Sequence, residues 1–216
     1  MAYDLEEQEQ LATLKAAWKQ YGNLITWVLI IALAAYAGWV QWNNYQANQA
    51  GQASQLYEEL QKAVTAKDAA KIQRAVNDLK EKFPATAYAS MAALVSAKAS
   101  FDANDLKAAK TQLQWVIDTG KGEEYKALAR VRLAGVLLDE KLFDEALKQL
   151  SGEFPAELQA DVADRKGDIF VAQAKLDEAK KSYQLALDKT TEKNSVKQLI
   201  QIKLDAIGGS VESVSK

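Results

Sequence analysis

The chain has 216 residues with a formal net charge of −2, two prolines, and neither cysteine nor histidine. Without a thiol or an imidazole, nucleophilic cysteine chemistry, imidazole acid–base catalysis and soft-metal ligation are excluded. No basic excess gathers on any stretch, which argues against nucleic acid as a partner. Ala, Leu, Lys, Gln and Glu recur throughout, a composition that favours helices joined by short turns over sheets.

Residues 1–21 form a short acidic tail, in which Asp4, Glu6, Glu7 and Glu9 outnumber Lys15 and Lys19. That leaves the remainder of the chain electrically neutral. From Gln20 to Tyr57 there is no charged residue, and Leu24 to Val40 is apolar apart from Thr26. Residues 22–42 in helical form reach roughly 30 Å, the thickness of a bilayer's hydrocarbon core. Trp18, Tyr21 and Trp27 at one edge and Trp39, Trp42 and Tyr45 at the other form the aromatic belts of a membrane span. Ala35-Tyr36-Ala37 has the small-x-small pattern of a signal-peptide cleavage site. The acidic tail before it and the Trp39–Trp42 continuation after it favour an uncleaved anchor. Lys15 and Lys19 precede the span closely, and the first basic residue after it is Lys62. The positive-inside rule then predicts a cytoplasmic N-terminus and places residues 43–207 across the membrane. Ala34 and Gly38, four apart, are candidates for close packing against another membrane helix.

Beyond the span an apolar-x-x-Ala-x-x-x-apolar core repeats, as Ile72–Ala75–Leu79, Leu106–Ala109–Leu113, Phe143–Ala146–Leu150 and Leu176–Ala179–Tyr183. The alanines lie 34, 37 and 33 residues apart. A small residue in the middle of an apolar face lets two helices approach closely. Further apolar helices are predicted ahead of these cores, over Ala87–Ser100, Ala127–Leu138 and Val162–Gln173. Val196–Ile207 reads as a capping helix, and residues 208–216 as a flexible tail. The predicted fold is all-α: an N-terminal transmembrane helix followed by a helical-repeat solenoid.

Such solenoids bind polypeptide on the face lined by the first helix of each pair. The candidate lining is Tyr57, Leu60 and Val64, then Met91, Leu94 and Phe101, then Leu128, Val131 and Leu138. The last pair offers Asp161, Asp164 and Asp168. A groove of that kind is apolar with one negative end, suited to apolar segments rather than to a terminal carboxylate. The same aspartates are the best acid–base or hard-cation candidates. On a regular helix beside Arg165 and Lys166, and without a glycine-rich loop, they read as a solvated face. The chain is therefore read as a non-enzyme with no cofactor, metal or small-molecule substrate. Its partners are expected to be proteins and the lipid bilayer.

The repeat spacing resembles tetratricopeptide repeats. Gly167, Phe170, Ala179, Tyr183 and Ala186 fall at that repeat's signature positions, whereas the signature Trp is absent and Pro84 and Pro155 are displaced. Over its whole length the chain resembles the YfgM family of ancillary SecYEG translocon subunits, most specifically in the Gly38-Trp39-x-x-Trp42-Asn43 exit from the span. That resemblance implies residence in a bacterial inner membrane with the repeat domain in the periplasm. It further implies contact with the translocon and the chaperone PpiD, and a part in passing secreted proteins to periplasmic chaperones. A scaffold for envelope assembly or division, without client binding, is the alternative.

Overall fold

The computed structural model describes residues 2–190 and 196–208, with side chains from Glu7 onward. The flexible tail expected after Gly208 and the Asp4 and Glu6 side chains lie outside the described residues. Among those described, every regular element is helical, and no strand forms. In chain order the α-helices are α1 (Ala2–Thr65), α2 (Ala69–Lys82), α3 (Ala87–Asp102), α4 (Leu106–Thr119), α5 (Glu123–Asp139), α6 (Phe143–Gln149), α7 (Gln159–Ala172), α8 (Leu176–Lys189) and α9 (Val196–Ala206). A single 3₁₀ turn, Ala156–Leu158, precedes α7.

The chain divides into two compact units, Met1–Gln49 and Ala50–Lys216. In the first, α1 carries the one stretch among the described residues long and apolar enough to cross a membrane. Its large side chains from Leu24 to Trp39 all face outward, the pattern of a helix whose solvent is hydrocarbon. The hydroxyl of Thr26 donates to the Gly22 carbonyl at 2.8 Å, so this polar group is satisfied within its own helix.

The second unit is a row of helix pairs. The end of α1 and α2 form the first pair, followed by α3 with α4, α5 with α6, and α7 with α8. Helix α9 packs on α8. The alanine stripe has the place expected of it: Ala75, Ala109, Ala146 and Ala179 are all buried, and so are Leu79, Leu113, Leu150 and Tyr183 four residues on. Each of these large side chains contributes about 1.5–3 kcal/mol on burial. The residues three before the alanines are less covered. Ile72, Leu106 and Phe143 are half-buried, and Leu176, opening α8, is exposed.

Every pair is joined by the same turn. Lys67, Asn104, Lys141 and Ala174 adopt left-handed backbone with φ between 54° and 62°. The following amide reaches back five residues in each case: Asp68 to Ala63, Asp105 to Ser100, Leu142 to Leu137 and Lys175 to Phe170, at 2.8–3.0 Å. These are Schellman caps, which satisfy the last carbonyls of the first helix while reversing the chain. Asp68 and Asp105 then cap the next helix by accepting from the amides of Lys71 and Ala108.

Candidate functional site: a cleft between the first helices

Between α3, α5 and α7 lies a cleft of about 290 Å³, floored by Leu113 of α4. Its walls carry Lys98, Phe101 and Asp102 from α3, Arg132, Gly135 and Asp139 from α5, and Arg165 from α7. Phe101 remains 41% exposed, an aromatic face left open on one wall.

Of the lining expected from sequence, Phe101 alone stands in this cleft. Leu60, Leu94 and Val131 are corrections: they are 0%, 4% and 6% exposed and belong to the core. Tyr57 packs on Tyr88 with ring centroids 5.7 Å apart. Leu128 and Leu138 are half-buried against the central core, Met91 is half-buried, and Val64 is exposed outside the cleft. The cause is register. Helices α3 and α5 are covered on more than one side, so apolar positions do not mark the open face. The open face on α5 lies one residue further on, at Arg132 and Asp139 instead of Val131 and Leu138.

The cleft is consequently charged as well as apolar. Arg132 and Arg165 stand 33 residues apart, the same offset as Ala146 and Ala179, and so occupy one repeat position on neighbouring helices. Asp102 and Asp139 are similarly related by 37, the offset of Ala109 and Ala146. That equivalence, anchored on the alanines, is the sequence signal by which these residues could have been found. Gly135 lies beneath the Arg165 guanidinium, where a Cβ would stand 3.4 Å from its central carbon, in ordinary van der Waals contact.

Arg132 donates to the Leu94 carbonyl at 3.5 Å, and no carboxylate among the described residues pairs with it. Its side chain remains exposed, while partial desolvation by the neighbouring walls pulls its pKa below the ordinary guanidinium value. Arg165 pairs with Asp168 at 3.3 Å, yet its Nε is enclosed with no acceptor. Lys98 and Asp102 neutralise one another at 2.8 Å.

The aspartates of α7 also need correction, because two of them do not form a solvated face. Lys203 of α9 bridges Asp164 at 2.8 Å and Asp168 at 2.9 Å, and the Tyr183 hydroxyl donates to Asp168 at 2.9 Å. Burial pushes the Asp164 carboxyl above the usual range against the opposing pull of Lys203, and burial and Asp168 push the Tyr183 phenol up. The expected negative end of the groove is thereby neutralised and serves to dock α9. Asp161 alone stays exposed. Among the described residues no acidic cluster has the arrangement of a metal site. Ala34 and Gly38 lie open on α1, with nothing within 4 Å of a Cβ placed at Gly38.

An apolar anchor followed by paired helices, alanine-centred contacts and a cleft between first helices defines a membrane-anchored tetratricopeptide-type repeat protein. A family model described as a tetratricopeptide repeat-like domain matches residues 15–209. An ancillary SecYEG translocon subunit from Neisseria gonorrhoeae is 33% identical, covering 96% of this chain and all of that one. Proteins of the same description from Haemophilus influenzae and Aggregatibacter actinomycetemcomitans are 29% and 27% identical, over 86% and 95% of this chain and 91% and 99% of their own. The chain belongs to the family of ancillary SecYEG translocon subunits.

Proposed function

We propose that the protein is a single-pass, Sec-associated interaction subunit of a bacterial inner membrane, with its N-terminus in the cytoplasm and its repeat domain in the periplasm. In this reading the cleft holds segments of secreted polypeptide as they leave the translocon and passes them to periplasmic chaperones, PpiD among its partners. The Ala34–Gly38 face of the span packs against a membrane helix of the translocon complex. We assign no catalytic step to it. The observation that supports the reading best is the open cleft between first helices, with the exposed Phe101 ring on its wall.

The test replaces Phe101 with a photo-crosslinking side chain in the full-length membrane protein during export of a stalled secretory chain. Lys107, exposed on α4 and outside the cleft, serves as the comparison position. Adducts to the secretory chain are expected from position 101 and not from 107. Equal yields from both, or none from either, would remove client binding from the cleft and leave a scaffold role in its place.

A further inference from the structure

We infer that the cleft selects polypeptide segments that pair a carboxylate with an apolar side chain: Arg132, supported by Arg165, receives an Asp or Glu side chain while Phe101 seats its apolar neighbour. The inference rests on the proposal that the cleft holds polypeptide and names the chemistry of the occupant.

Charge complementarity carries it. Arg132 lines the cleft on α5, the middle of the three first helices, with no carboxylate partner among the described residues. Its side chain is exposed and so open to a ligand. A guanidinium is more weakly hydrated than an ammonium, and its planar fork matches a carboxylate in two parallel hydrogen bonds. The repeat-equivalent Arg165 lies alongside over Gly135, and its enclosed Nε has a proton that no protein acceptor takes. Arg165 also lines the cleft, so a second guanidinium stands behind the first. Of the other cations lining the cleft, Lys98 is matched by Asp102 and Arg165 by Asp168, so among the described residues Arg132 is the lining cation without a carboxylate. Phe101 adds an open apolar surface to the same cleft.

The carboxylate belongs to a side chain within a segment, not to a chain end. Cleft residues continue on both sides of α5, to Phe101 on α3 and to Arg165 on α7. A ligand that terminated at Arg132 would leave one half unfilled. On α5 the wall turns negative at Asp139, about 10 Å and two helical turns from Arg132, so acidic residues are favoured at one level of the cleft and disfavoured at the other.

Three fluorescent eight-residue peptides test this against the full-length protein in detergent, read by anisotropy. One is blocked at both ends and contains two Leu-Glu pairs, the second has Gln for both Glu, and the third is the Gln peptide with a free terminal carboxylate. The Glu peptide is expected to bind at least about tenfold more tightly than the Gln peptide. Arg132→Ala should erase that difference, and Arg132→Lys should keep part of it, with thermal unfolding unchanged in both. Salt should weaken the Glu peptide selectively. Equal binding of the Glu and Gln peptides, both lost on Phe101→Asp, would overturn the carboxylate assignment and leave the polypeptide cleft standing. Tight binding of the free-carboxylate Gln peptide would overturn the side-chain assignment in favour of a chain end. Binding of none of the three would overturn both the assignment and the cleft.

Discussion

Gly167 leaves almost no room for one added carbon. A Cβ at that position would lie 2.4 Å from Cε1 of Tyr183, well inside van der Waals contact. The ring has no easy retreat: Tyr183 is 2% exposed and its hydroxyl is tied to Asp168. Alanine in place of a mid-helix glycine ordinarily stabilises by roughly 0.8–1 kcal/mol. Overpacking a filled contact costs about 1–3 kcal/mol, so here the contact prevails. Gly167→Ala is expected to lower stability by roughly 1 kcal/mol or more in chemical denaturation. An unchanged or raised midpoint would mean the ring moves aside. The glycine and the tyrosine were legible as signature positions of one repeat. Lys203 was not, because it comes from a capping helix outside the periodicity, and without it Asp164 and Asp168 look like solvated charges.

At the scale of elements, the repeat is written twice, once in residues that sequence displays and once in backbone that it conceals. The buried alanines announce the second helix of each pair, and the helices stand where that pattern put them. The turns recur with offsets of 37, 37 and 33 residues at Lys67, Asn104, Lys141 and Ala174. None of the four is glycine, so composition gives no sign of the left-handed conformation. For an L-residue with a Cβ that conformation costs about 1–2 kcal/mol, less for asparagine, whose side chain bonds locally. Glycine relieves the cost but loses more entropy on folding, leaving a net gain of roughly 1 kcal/mol at an alanine position. Ala174→Gly should therefore raise the unfolding midpoint, by more than Asn104→Gly does. No gain at Ala174 would mean the Schellman turn there is not under strain. The open face of α5 was illegible for a related reason. With Ala129, Val131, Leu133, Ala134, Val136 and Leu137 all buried, the helix has no single apolar stripe, and Arg132 sits among core residues in sequence.

For the whole molecule, the question with the widest consequence is which side of the membrane the repeat domain occupies. The anchor was legible because a spanning helix must be apolar all round over about 20 residues, a pattern that soluble helices seldom match. The compact units divide at Gln49 and Ala50, seven residues beyond Trp42, and α1 runs to Thr65 without a proline. Orientation depends on fewer charges. Lys15 and Lys19 lie close before the span, and the exit side has no basic residue until Lys62. Moving lysines against the membrane potential costs about 2.3 kcal/mol per charge per 100 mV, which favours retaining them in the cytoplasm. The acidic residues of the tail count for little in this balance. Protease added to spheroplasts should therefore degrade the domain after Trp42 while a tag at the N-terminus survives until the membrane is lysed. In Lys15→Gln with Lys19→Gln a fraction of the chains should invert, giving domain that resists the protease. Full protection of the domain in the unmodified protein would reverse the orientation, and a cleft on the cytoplasmic side could not receive polypeptides emerging from the translocon.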